Sequence, residues 1–236
     1  MSTAAEISPR RMARLAGFFY ILMLPIGMIP MLVGRVPITS DAAATAAAIV
    51  AHPAAFYTGF LADILIVAVY IPVTALLYRL FAPVDRALSL TAAFFSLVGC
   101  ADQAFACLFR VAPMTVLTSV PASRAFSRAA IETLVQFLLN FYKLGYGIAL
   151  VFFGVYLILI GTLIVRSTFM PRLLGILVML AGVSGLTFLW PPLSQSLWPR
   201  QALCFVIGEG SLVLWLLIRG VDAERWHALA RGTAVD

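Results

Sequence analysis

Asp63, Asp102 and Glu209 stand inside long apolar runs, and Lys143, the only lysine in the chain, stands in another. Gln103, Gln136 and Asn140 share these runs. A charge in hydrocarbon costs a few kcal/mol or more, so such groups are expected to face one another or a wet cavity. Together they would support acid–base chemistry. A protonated Asp63 or Glu209 would donate to a small hydrophobic, isoprenoid- or lipid-like molecule, and Lys143 and Asn140 would tune and orient the carboxyls. On this reading the catalytic candidates are Asp63, Glu209 and Asp102. The candidates for holding a substrate are Lys143, Asn140, Gln136, Tyr70, Gln103 and Tyr146.

Helical spacing arranges these residues. Glu132, Gln136, Asn140, Lys143 and Gly147 fall on one face of a helix, as do Asp63, Val67, Tyr70, Thr74 and Tyr78. Ser96, Gly99, Gln103 and Arg110 form a third line, with Asp102 beside it. Glu209 sits between Gly208 and Gly210, which let a neighbouring backbone come close. The expectation is a set of acids balanced by Lys143, with Arg110 at the rim. The same residues would also serve as polar glue between helices. Tyr142 and Tyr146 also suit plain packing.

The elements that must carry them follow from composition. The chain is 63% hydrophobic and 11% charged, with mean hydropathy +1.04. A soluble domain carries about a quarter charged residues and must cover itself with polar groups. The fold class expected is therefore an all-α polytopic membrane bundle forming a single domain. A crossing takes roughly 20 apolar residues. Six stretches qualify, at about 13–34, 54–81, 86–109, 132–165, 171–191 and 199–220. The fourth is long for one crossing, so it would tilt or project. A short surface helix is expected at about 41–51, started by Ser40 or Asp41. Residues 110–130, with Pro113 and Pro121, read as an outer cap.

The net charge of +6 comes from arginines scattered at the ends of apolar runs. Those are flanking residues of membrane helices, not a nucleic-acid patch. With the N-terminus cytoplasmic, ten arginines fall inside and five outside, which favours both termini in the cytoplasm. Asp63 then lies roughly 13 Å below the outer surface at about 1.5 Å per residue, and the other ionisable groups share the outer half. The implied pocket opens outward.

Other chemistries find no support. Cys100, Cys107 and Cys204 lie in apolar runs without metal spacing, and no cofactor or metal is expected. His52 and His227 are remote from the acids, which disfavours a hydrolase triad. No phosphate-binding glycine motif is present. The partners expected are membrane lipids and a small hydrophobic molecule, with no nucleic acid. A small-solute or proton-coupled transporter and a non-enzymatic assembly or regulatory partner remain as alternatives.

Several segments carry a resemblance. They are RLAGFFYILML (14–24), DAAATAAAI (41–49), ADILIVAVYIPVTALLYRLF (62–81), FFGVYLILIGTLIVRSTFMPRLLGILVMLAG (152–182) and GEGSLVLWLLIRGV (208–221). Together they resemble the bacterial membrane proteins grouped as domain of unknown function 4386. The resemblance implies a six-helix protein of the bacterial inner membrane and brings no reaction with it. Asp63 and Glu209 lie within the matching segments; Lys143 does not.

Overall fold

The computed structural model describes residues 8–33 and 36–232. Among them all regular structure is helical: α1 (Pro9–Val33), α2 (Ala42–Ala51), α3 (Pro53–Phe81), α4 (Arg86–Leu117), α5 (Val120–Ala125), α6 (Arg128–Arg166), α7 (Arg172–Leu186), α8 (Pro191–Leu197), α9 (Arg200–Ile218) and α10 (Ala223–Gly232). Six of these helices are long and apolar enough to cross a bilayer, the make-up of a multi-pass membrane protein.

Boundaries depart from expectation where caps and prolines decide them. α4 does not stop near residue 109 but runs through Pro113 to Leu117. The 110–130 segment is thus mostly helix, with α5 capped by Ser119. Pro113 is tolerated because a membrane helix can lose one backbone bond when neighbours make up for it. α6 begins four residues earlier than its apolar run, at Arg128, where Ser127 accepts from the amide of Ala130 at 3.3 Å. The fifth run divides: α7 ends at Leu186, a 3₁₀ turn covers Thr187–Leu189, and α8 is separate.

The chain forms two compact units. The first takes Met1–Leu22, Val69–Gly99 and Ile148–Asp236; the second takes Met23–Ala68 and Cys100–Gly147. In the first, Leu77, Phe81, Leu157, Ile160, Leu212 and Leu216 are fully buried. Its α6 and α7 meet backbone to backbone. A side chain at Gly154 would strike Gly182 O at 2.7 Å, and one at Gly182 would strike Gly154 O at 2.5 Å. Close approach through small residues is how helices associate where no hydrophobic force draws them together. The indole of Trp226 on α10 donates to Leu80 O at 2.8 Å, tying the amphipathic α10 to the end of α3.

In the second unit, α2 is started by Asp41, whose carboxylate accepts from the amides of Ala43 and Ala44 at 2.9 and 3.2 Å. Of the two expected caps, Asp41 is the one used. The core beneath is Ile49, Phe56, Met114, Val135 and Leu139.

Candidate functional site

The site of the second unit grows from three helices. Gly145 of α6 comes so near Ala106 of α4 that a side chain there would lie 2.8 Å from the Ala106 Cβ. One turn from that contact along each helix stand Arg110 and Tyr142. α3 supplies Asp63 and, a turn before it, the buried Gly59. A Cβ at Gly59 would occupy the place of the Arg110 guanidinium. Glycine at 59 is therefore what lets the guanidinium lie against α3.

These groups close a triangle. The Tyr142 hydroxyl donates to Asp63 Oδ2 at 2.8 Å. Arg110 Nη1 donates to the Tyr142 oxygen at 3.0 Å and lies 3.1 Å from Asp63 Oδ2. The Arg110 Cζ also sits 5.1 Å from the Tyr142 ring centroid, within cation–π range. The Arg110 and Asp63 side chains are 26% and 16% exposed, so water screens the pair only in part. Beside the triangle lies a cavity of about 220 Å³. Pro30, Ile38, Ala55, Phe56 and Leu139 give it apolar walls, and Arg110 and Tyr142 form its polar side.

The cation at Asp63 is thus Arg110, and the expectation that Lys143 would be its counter-ion is corrected. Lys143 is exposed and makes no ion pair with any described carboxylate. The reason is register. The inward line of α6 is Val135, Leu139 and Tyr142. The polar line through Asn140 and Lys143 stands one residue further on, about 100° round the helix, and both residues are exposed. Gln136 and Glu132 are half-buried on that line. Tyr146 is 38% exposed, its ring 6.1 Å from that of Tyr142. The lines on the other helices do face inward. Val67, Tyr70 and Thr74 are buried on α3; Ser96, Gly99 and Gln103 are buried on α4, with Asp102 half-buried beside them.

Glu209 belongs to the first unit, on α9. The phenol of Tyr20 on α1 donates to Glu209 Oε2, and the hydroxyls of Tyr20 and Tyr70 are 3.1 Å apart. Thr74 and Ser96 exchange a buried hydrogen bond at 2.6 Å in the same unit. Sequence reasoning placed no role on Tyr20 and set Arg110 at a rim. The available signal for Arg110 was its place on the Ser96–Gly99–Gln103 line. Among the described residues no three His, Cys, Asp or Glu side chains are grouped to hold a metal ion.

Comparison with curated proteins and with solved structures gives no match. Residues 15–220 match the family model described as Domain of unknown function (DUF4386), and with most of its length covered the chain belongs to that family.

Proposed function

We propose that this chain is a membrane-embedded binding protein for a small, mostly apolar molecule with one polar end. The observation that carries the reading is the cavity of the second unit, walled by Ile38, Phe56 and Leu139 and bordered by Arg110 and Tyr142. The pocket is open on one side, and two of its walls, Phe56 and Leu139, belong to the buried core of the unit. A dry cavity of about 150 Å³ already takes up benzene, so one of about 220 Å³ accepts a ring with a short substituent or the end of a longer chain.

Helix length supports a place near the membrane boundary. α6 has 39 residues, about 58 Å at 1.5 Å each, against about 30 Å of hydrocarbon. Counting roughly 20 residues from the arginines that flank the other ends, Arg166, Arg86 and Arg79, reaches the neighbourhood of Tyr146, Ala106 and Gly59. Tyr142, Arg110 and Asp63 each stand within about a turn of those points. An amphiphile with an apolar body and a polar tip concentrates at that depth. Asp63 already accepts from Tyr142 and is ion-paired with Arg110, which suits a holding role better than a proton-donating one.

The test is recovery of the bound molecule. Protein purified in mild detergent and extracted with organic solvent should yield, by mass spectrometry, a hydrophobic compound near one per chain. Ala55→Trp, which fills the cavity, should lose it. Equal recovery from a folded Ala55→Trp protein would remove the reading.

A further inference from the structure

We infer that the cavity reads an uncharged hydrogen-bond acceptor, the carbonyl oxygen of a ketone or ester, and selects against an anion of the same size. The inference rests on the binding reading above and names the chemistry of its polar end.

The unused hydrogen-bonding capacity at that end is mostly donor. A guanidinium has five N–H groups and no acceptor. Arg110 spends Nη1 on Tyr142 and Asp63. Its Nε donates to no described residue but is enclosed by protein atoms, so Nη2, which no hydrogen bond to a described residue uses, is the group left to offer. A buried donor without an acceptor costs about 1–3 kcal/mol, and natural structures satisfy nearly all of them. The Tyr142 hydroxyl offers no proton, because it already gives it to Asp63 while accepting from Arg110. Asp63 itself does not line the cavity. A ligand hydroxyl or amine that needed an acceptor would find at this wall only the remaining lone pair of the twice-bonded Tyr142 oxygen; a ligand oxygen that needs a donor finds the guanidinium.

Charge then decides between a neutral and an ionised acceptor. Asp63 already balances Arg110. A carboxylate or phosphate in the cavity would put two anions on one cation, and desolvating the second costs several kcal/mol without a matching partner. A carbonyl takes the spare N–H groups and leaves the balance intact. Gly59 is a positioning residue in this scheme: its missing side chain sets where the guanidinium lies and so which N–H groups are offered.

The same carbonyl chemistry comes from two sources, a bilayer lipid's ester linkage or a free hydrophobic ketone or ester. The experiment therefore uses two membranes and two probes. The full chain is placed in nanodiscs of diester phosphatidylcholine or of its diether analogue, which lacks carbonyls. Binding of tritiated benzylacetone and tritiated hydrocinnamate is measured at a pH where the latter is ionised; the two are matched in size. Binding to Ala55→Trp is subtracted as background.

In diether nanodiscs benzylacetone should bind at least about tenfold more tightly than hydrocinnamate. Gly59→Ala, with an unfolding temperature near wild type, should erase most of that preference. If diester lipid weakens benzylacetone binding, the lipid ester is the occupant; equal affinity in both membranes assigns a free ligand, and either result upholds the inference. Hydrocinnamate binding equally well or better overturns it and leaves the cavity reading standing. No binding of either probe above background overturns both.

Discussion

Asp63 and Lys143 look alike in the sequence, each an ionisable group in an apolar run, yet the structure uses them in opposite ways. Asp63 receives a cation and a phenol; Lys143 turns its ammonium away from the unit's core. Asp63→Asn should therefore leave Arg110 without its counter-charge and lower stability by about 1–3 kcal/mol, toward the lower figure because both side chains keep some exposure. Lys143→Met should stay within about 0.5 kcal/mol of wild type, as substitutions outside packed networks do. Reversible unfolding in mixed micelles checks both; a Lys143→Met loss as large as that of Asp63→Asn would contradict the pairing. Asp63 was legible because a carboxylate among Leu, Ile and Val needs a reason. Its partner was not. Arg110 sits near the end of an apolar stretch, where a flanking arginine and a buried one carry the same sequence signature.

Register, at the scale of the element, separated what could be read from what could not. The stripes on α3 and α4 face inward as their spacing implies, because polar and large apolar residues agree there on one face. On α6 two lines compete one residue apart, and the apolar one through Val135 and Leu139 wins the interior. A polar stripe on a helix that projects toward the headgroups faces no penalty for turning outward, so the stripe rule loses its force there. The close approach of α6 and α7 at Gly154 and Gly182 was not read from the sequence; its partners needed coordinates. Gly182→Leu should force α6 and α7 apart and cost about 2 kcal/mol or more, since its Cβ would meet backbone rather than a side chain able to move. Gly210→Ala, whose Cβ meets nothing within 4 Å, should be neutral or gain up to about 1 kcal/mol from helix propensity. Equal losses in the two variants would show that helix propensity, not interhelical contact, governs both positions.

Six apolar helices put an even number of crossings between the ends of the whole molecule, so α1 and the segment after α9 should emerge on the same side of the bilayer. The arginine excess of the connections that share that side leads us to propose that it is the cytoplasmic one. The single lysine makes this directly measurable. Along α6, Lys143 stands about 23 residues before Arg166, roughly 34 Å and so at or just past one hydrocarbon boundary. A second amine introduced just before α1 by Ser8→Lys, an odd number of crossings away, should lie on the opposite side. A membrane-impermeant amine reagent added to right-side-out vesicles should therefore modify Lys143 and spare position 8, and inverted vesicles should show the reverse, each site being located by peptide mass. Modification of both amines from one side would break the six-crossing count. The reverse pattern would keep the count and turn the molecule over, which would move the mouth of the Arg110 cavity to the cytoplasmic leaflet and change which pool of carbonyl-bearing molecules reaches it.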